Sequence, residues 1–367
     1  MSAAAELSVF DGRRVLVTGH TGFKGAWLAL WLARLGARVH GLALPPEEGR
    51  PSLFEAADVV QVMDSSVMTD IREPDAVVAA VQAAAPEIVI HLAAQSLVRR
   101  SYDEPLATYG TNVMGTAHLL EAVRRTDGVR AVVVVTSDKC YENQGLSRGY
   151  HEGDPMGGYD PYSSSKGCAE LVTDAYRRSF FGASSPALIA SARSGNVIGG
   201  GDWAEDRLVP DMVRACLRGE TATIRSPNSV RPWQHVLEPL RGYLFLAARL
   251  FAGDGAMSGP WNFGPADSEV VAVREFVSRF AACWDAVRTE ERENPNAPHE
   301  AALLILDSEK ARAGLGWSPV VGFENGLRLT ADWYRRVEID GEPAGDVTAE
   351  QIDAHMSALR QQATDPR

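Results

Sequence analysis

The segment RVLVTGHTGFKGAWLALWLARLG, residues 14–36, constrains the fold more than any other part of the chain. It opens as a short apolar strand, passes three glycines at three-residue spacing, and ends in a run with apolar residues at helical period. Glycine is needed where a backbone turns sharply and where it must approach a ligand with no Cβ in the way. A helix beginning near Gly22 then offers free N–H groups and a positive dipole end to a phosphate. A glycine trio alone is a weak signal. Placed after a strand, before a helix and inside a βαβ length, it reads as a dinucleotide-binding loop. Its expected contacts are Gly19, Thr21, Gly22, Phe23, Lys24 and Gly25.

The first half of the chain repeats this alternation. Strand-like runs lie at 14–19, 38–44, 59–64, 87–94, 131–137 and 187–197, with helix-like runs at 25–36, 73–85, 115–126 and 163–180. Continuous apolar strands alternating with helices predict an α/β fold: a Rossmann-type, doubly wound parallel sheet covered on both faces. Gly36 stands where the first helix needs a C-cap. After about Gly199 the alternation weakens, leaving a short helix at 211–220, a helix at 236–251 and a return strand at 259–265. The expected organisation is a dinucleotide-binding domain over 8–195 with a returning segment around 234–260. A substrate lobe takes 196–233 and 261–340, and a helical tail takes 341–367. In that tail Thr348 and Gln351 have capping-box spacing. The charged, proline-interrupted stretch at 288–300 reads as a surface loop.

Composition narrows the partners. The 367 residues carry a net charge of -12, which weighs against nucleic acid but not against an anionic small ligand held by local arginines. Cys140, Cys168, Cys216 and Cys283 show neither metal nor redox spacing, so no metal site is expected, and a reducing compartment fits. Cys140 and Cys168 read as inert small hydrophobes. The stretch MSAAAELSVFDGRR lacks a signal-like apolar core, and AWLALWLA stops at Arg34, well short of a bilayer span. The expectation is a cytoplasmic protein with no membrane segment.

One element of the dinucleotide pattern is missing. An acidic residue at the end of the second strand usually holds the adenosine ribose of NAD. Here RVHGLALPPEEG places Ala43, Leu44 and Pro45 there. NAD is therefore expected to bind weakly, and Lys24 is a residue that would tolerate a 2′-phosphate. Asp70 and Ile71 either meet the adenine or simply begin a helix.

Chemistry enters at YDPYSSSKGCAELV. Tyr162 and Lys166 are four apart, which puts both on one face of a helix. A phenol is a poor base at neutral pH, and a neighbouring ammonium or a positive cofactor ring favours its phenolate. Just after the fifth apolar run, TSDKCYEN sets a hydroxyl, a carboxylate and an ammonium in consecutive positions, Ser137, Asp138 and Lys139. They read either as a polar loop or as an acid and a base. Lys139 is open to a structural role as well, paired with Asp138 or Glu142.

TGHTGFKG, HLAAQS, Asn112 in YGTNVMGT, Ser137 and YSSSK together resemble the extended short-chain dehydrogenase/reductase family, and the likeness continues through RPWQHV, WNFG and GWSPVVGFENGLRLTADWY. The resemblance implies NAD(P)-dependent hydride transfer by Ser137, Tyr162 and Lys166, with Asn112 supporting Lys166 through water. It implies cofactor contacts from Leu92, Ala93, Ala94 and Gln95, with Ser96 beyond them. Within that family an acid and a base directly after the Ser or Thr mark nucleotide-sugar 4,6-dehydratases, which oxidise C4, eliminate water across C5–C6 and return the hydride to C6. Most of them have Glu where this chain has Lys139. The Asp–Lys pair looks most like the subgroup acting on CDP-glucose, so NAD is the implied cofactor and CDP-glucose the implied substrate. A Lys base must be neutral, so its surroundings would have to favour that form.

By the same resemblance Asn196 meets the substrate's phosphates. Arg207, Arg231 and Arg241 are candidates to join it, since guanidinium suits pyrophosphate. Nothing in the sequence directly reads cytosine. Trp203, Trp233, His91 and His235 read as packing residues. A homodimer through the helices at 112–123 and 162–172 is usual for the family. Rival readings are an epimerase or a dehydratase on another nucleotide sugar, and a dinucleotide-sensing protein without chemistry.

Overall fold

Alternate residues of each central strand face opposite sides, and that alternation builds two cores rather than one. In β1 (Arg14–Thr18) Val15 and Val17 join one apolar cluster while Leu16 joins the other. The same split recurs in β4 (Ile88–His91), β5 (Ala131–Val135) and β6 (Leu188–Ser194), once β2 (Arg38–Ala43) and β3 (Ser65–Met68) are placed at the far side. The computed structural model describes residues 6–146, 148–182, 185, 187–265, 269–292 and 304–364.

Further along come β7 (Asn196–Ile198), β8 (Thr221–Ile224), β9 (Val230–His235), β10 (Gly259–Phe263), β11 (Val270–Ala272) and β12 (Arg288–Glu291). The main sheet has seven strands in the order β10-β6-β5-β4-β1-β2-β3, all parallel. It is the Rossmann-type α/β fold. One face carries α1 (Phe23–Arg34), whose Trp27 and Trp31 are fully buried there. The other carries α2 (Pro74–Ala84), α3 (Gly115–Arg124) and α4 (Pro161–Phe180). The chain continues through α5 (Leu208–Leu217), α6 (Leu237–Phe251), α7 (Val273–Cys283), α8 (Phe323–Tyr334) and α9 (Ala344–Thr364), and α6 packs under β5 and β6 on the α1 side. Two small sheets, β11-β9-β7 and β12-β8, shape the rim above the strand ends.

Four expectations need correction. The strand expected over 59–64 is a 3-10 turn, Val59–Val62, and the strand is Ser65–Met68. Asp58 takes a left-handed φ of 46°, which breaks the run, and β3 is an edge strand that needs no continuous apolar sequence. The run at 187–197 splits at Gly195, so β7 leaves the main sheet and pairs with β9. The stretch expected as a loop at 288–300 begins with β12, paired to β8, while 293–300 lies outside the described residues. Thr348 and Gln351 do not cap a helix but sit inside α9. Thr348 accepts the Trp333 indole N–H at 2.9 Å, and Gln351 donates to the Leu329 carbonyl at 2.9 Å, tying the last helix to α8. The ring of His355 in α9 meets Trp31 of α1 edge-on at 5.4 Å, and Arg34 pairs with Asp353.

Candidate active site

A cavity of about 510 Å³ opens above the carboxyl ends of the central strands, where open α/β sheets bind ligands. Its floor is the glycine turn. Gly19 adopts φ 76° and donates its N–H to the Leu42 carbonyl at 2.8 Å. A Cβ on Gly25 would fall 2.0 Å from the Gly19 carbonyl oxygen, so α1 sits on the turn only because that position is bare. Gly22 caps α1 without a side chain, leaving the first N–H groups turned to the cavity beside Gly19 and Thr21. This cradle fits a pyrophosphate.

Beyond it, Thr21 donates to the Leu44 carbonyl at 2.8 Å. Ala43 and Leu44 line the cavity with no carboxylate between them, and Thr69, Asp70 and Ile71 close this arm. Hydrogen bonds from Arg72 hold the Asp70 carboxyl below its ordinary range. Lys24 does not serve this arm. It turns inward, its ammonium 3.3 Å from Ser194 Oγ and 3.5 Å from the Tyr243 hydroxyl. Burial, then the nearby Arg207 and Lys166, push its pKa down to about 7 against the pull of Asp138 and Asp202. From the sequence Lys24 would tolerate a ribose 2′-phosphate, but its side chain points away from that arm, toward the centre of the cavity at Ser194 and Tyr243.

At that centre β5 runs out into Ser137, which caps the 3-10 turn Asp138–Cys140 by accepting the Lys139 N–H at 3.2 Å. The Ser137 hydroxyl donates to Asp138 Oδ1 at 2.9 Å. Lys139 Nζ lies 3.5 Å from the same carboxylate, and its side chain stays 25% exposed while that of Asp138 is 3%. Asp160 caps α4 by accepting the Ser163 N–H at 2.9 Å, with Pro161 at the first helical position. This start places Tyr162 in the first turn, with Lys166 one turn below. Burial raises the Tyr162 phenol to about 12, and a hydrogen bond with Ser137 opposes the rise. Burial lowers Lys166 to about 8, with Cys140 and Glu170 resisting.

A buried network backs this face. Glu170 accepts from Thr136, from Ser191 at 2.6 Å, and from Arg193 at 2.9 and 2.8 Å. Arg193 also donates to the Tyr141 hydroxyl at 2.6 Å, which donates to Asn262 at 2.8 Å. The residues on either side of Ser137–Lys139 are thus fixed to α4, β6 and β10 at once. Cys140 is fully buried and its thiol pushed well above the ordinary range by desolvation, which leaves it unreactive.

The structure brings most of the expected residues together. Gly19, Thr21, Gly22, Phe23, Lys24, Gly25, Asp70, Ile71, Leu92, Ala93, Ala94, Ser96, Ser137, Asp138, Lys139, Tyr162, Lys166, Asn196, Arg207 and Arg231 all line the cavity. Three do not. Gln95 turns away, donating to Thr108 at 2.9 Å and Leu97 at 3.1 Å. Asn112 is buried between the 93–97 loop and α4, donating to the Gln95 carbonyl at 2.9 Å and to Ser165 at 2.8 Å. Arg241 is withdrawn from the site altogether: it is 2% exposed, paired to Glu238 at 3.0 Å and bound to the Ser318 carbonyl. Trp203 and Trp233 are packing residues, against Tyr334 and Phe276. The sequence did not point to Asp202, which holds Arg207 at 3.0 Å, nor to Arg99, Asp206 and Arg225 on the cavity wall. Among the described residues no group of three or more His, Cys, Asp or Glu could hold a metal, and no helix is long and apolar enough to cross a membrane.

A family model described as GDP-mannose 4,6 dehydratase matches residues 16–330. The chain is 47% identical to a CDP-glucose 4,6-dehydratase of Salmonella typhimurium over 95% of its own length and 98% of the relative's. It is 29% identical to a dTDP-glucose 4,6-dehydratase of Xanthomonas campestris, covering 92% and 98%. Among solved structures, a dTDP-glucose 4,6-dehydratase of Streptomyces venezuelae with NAD bound superimposes with a TM-score of 0.74 at 26% identity, covering 90% of this chain and 99% of that one. An epimerase of Methanothermobacter thermautotrophicus, 24% identical, shares the fold with a TM-score of 0.79, covering 92% and 96%.

Proposed function

We propose a reaction from the premise that this chain belongs to the GDP-mannose 4,6-dehydratase family. It is a hydro-lyase, a CDP-glucose 4,6-dehydratase that uses NAD and gives CDP-4-keto-6-deoxy-glucose. The likeness to the Salmonella enzyme over nearly the full length of both chains supports the substrate. The observation that carries the chemistry is the contiguous Ser137–Asp138–Lys139 turn facing Tyr162 across one cavity.

Tyr162 takes the proton of the C4 hydroxyl. Because burial holds the phenol at about 12, it ionises only with positive charge beside it; Arg207 supplies some, and Lys166 lies one helical turn below. NAD, when bound on the glycine cradle, supplies a second positive charge, the acceptance of a hydride from C4 and its return to C6. The C4 ketone acidifies the C5 hydrogen. Lys139, as the neutral amine, removes that proton while Asp138, as the carboxylic acid, protonates the departing C6 hydroxyl. Asp138 and Lys139 form an ion pair, so the acid–base form differs from it only by one internal proton transfer. Lys139 returns its proton to C5. Asp138 is then one proton short and Tyr162 one proton rich. Ser137, which donates to Asp138 and lowers the Tyr162 phenol, is assigned as the bridge that resets them.

Asn196, Arg207 and Arg231 are assigned to the substrate's diphosphate, and Asn112 and Gln95 to fixing the 93–97 loop against α4. The glycine cradle and the main sheet form the cofactor half, and the β7–β9 and β8–β12 sheets the substrate half. Exposed Leu106, Met114 and Leu171, at 86%, 51% and 60%, suit a homodimer face on the α3–α4 side. Four free cysteines suit a reducing compartment such as the cytoplasm.

The test is a panel of nucleotide hexoses incubated with NAD and read by product mass and by keto-sugar absorbance in base. CDP-glucose should give a product lighter by one water. An isomer of unchanged mass, or no keto product from any hexose, overturns the assignment.

A further inference from the structure

We infer that Arg225 and Asp206 read the base of the nucleotide sugar and select cytosine over uracil and thymine. The inference rests on the dehydratase reading above and takes the nucleotide hexose from it. The cavity has two arms leaving the reaction centre. One runs between the glycine turn and the ends of β2 and β3, where the cofactor cradle lies. The other runs past Arg207, whose charge acts on the Tyr162 phenol, and past Arg231, to a wall formed by α5 and β8. A hexose with C4 at Tyr162 and its diphosphate at those two arginines leaves only this wall for the base.

The wall presents a definite hydrogen-bonding edge. Arg225 Nη1 lies 2.5 Å from Asp206 Oδ1, and Nη2 lies 3.1 Å from Asp211 Oδ2. Arg99 approaches the same Oδ1 of Asp206 at 3.5 Å, so both of its ion pairs fall on one oxygen and Oδ2 is left for an incoming donor. Two of the five guanidinium N–H groups of Arg225 serve the two carboxylates, and the others remain for a ligand. These side chains are 32% and 36% exposed, so their pairing contributes little to holding the fold. Even so, Asp206 is held at φ 59°, a left-handed conformation that costs a non-glycine residue energy and that recurs at binding sites.

Donors beside an acceptor match one pyrimidine. Cytosine shows two acceptors, O2 and N3, and then the N4 amino donor. Uracil and thymine show an N–H at position 3 and an acceptor at position 4. Arg225 donating to O2 and N3 with Asp206 accepting from N4 satisfies cytosine. The same residues set donor against donor and acceptor against acceptor with uracil or thymine, leaving polar groups unpaired on both sides.

Binding of CDP, UDP and dTDP to the full chain, measured by calorimetry, tests this. Wild type should prefer CDP by at least about tenfold. Asp206→Asn, which tolerates the same backbone, and Arg225→Ala should each bring the three ligands to within about threefold of one another by weakening CDP, whereas Arg231→Ala should weaken all three alike. Keto-product formation from CDP-glucose is followed in parallel. If wild type turns over CDP-glucose and prefers CDP, yet both variants keep that preference, the base is read elsewhere and this inference alone fails. If wild type turns over UDP- or dTDP-glucose in preference, the substrate reading fails and the inference with it.

Discussion

The hydroxyl of Ser137 donates to the carboxylate of Asp138, its own neighbour in sequence, at 2.9 Å. The same hydroxyl also acts on the Tyr162 phenol, opposing the rise that burial causes, so in the proposed cycle one side chain stands between the group that must shed a proton and the group that must regain one. Ser137→Ala should therefore slow turnover about 10²- to 10³-fold, and Ser137→Thr should restore much of it. Steady-state keto-product formation checks this. A Thr variant no better than Ala would remove the relay.

Elimination is a separate step from oxidation. Lys139→Ala should bind CDP-glucose normally and still reduce NAD in a single transient, but form keto-deoxy product about 10²- to 10⁴-fold more slowly. Asp138→Asn should behave alike. Rapid-mixing absorbance of reduced cofactor, set beside product mass, distinguishes this from failure of the first step.

Glu170 satisfies four donors in the interior, two of them on Arg193. Glu170→Leu leaves that buried guanidinium without its carboxylate and should cost about 3–5 kcal/mol of stability. Glu170→Leu combined with Arg193→Met should recover part of the loss. Chemical denaturation of the three proteins decides it.

Leu44 lines the cavity at the end of β2, where a carboxylate would meet the adenosine ribose. The wild-type protein should lose NAD during purification. Leu44→Asp should tighten NAD about tenfold by adding charge-assisted hydrogen bonds. Calorimetric titration, and the nucleotide content of the purified protein, measure both.

Lys24, half-buried, and Lys166, buried, give the cofactor-free protein a pH dependence of definite sign. Lys24 falls from its ordinary 10.5 to about 7, and Lys166 from 10.5 to about 8. Between these values and 10.5 the unfolded chain binds more protons than the folded one, so stability rises with pH across that window and is lost as pH falls through it. The melting temperature should climb from pH 7 to pH 9, and Lys24→Met should flatten the climb. Equal slopes in the two proteins would contradict the lowering of Lys24.

The parallel sheet, the glycine cradle and the Ser–Asp–Lys turn with Tyr162 and Lys166 were legible because each is local. A strand, a tight turn or one helical turn holds its parts at fixed spacing. What was missed is long-range. The destination of Lys24 depends on Ser194 and Tyr243, 170 and 219 residues away, which no spacing announces. β3 was misplaced because an edge strand tolerates the polar Ser65 and Ser66. Arg241 was misread for a phosphate ligand although its sequence carried the answer. Glu238 stands three residues before it, one helical turn away, and takes its charge.

The helix that presents its N-terminus to the cofactor is synthesised long before α9, which follows all the other helices named above in sequence. α9 covers part of it, through His355 on Trp31 and Asp353 on Arg34. Until α9 is made, Trp31 lacks that cover, and the nascent chain carries a more exposed apolar surface. α9 thus acts as a closing seal on α1, and a chain lacking it would bare that tryptophan to chaperones.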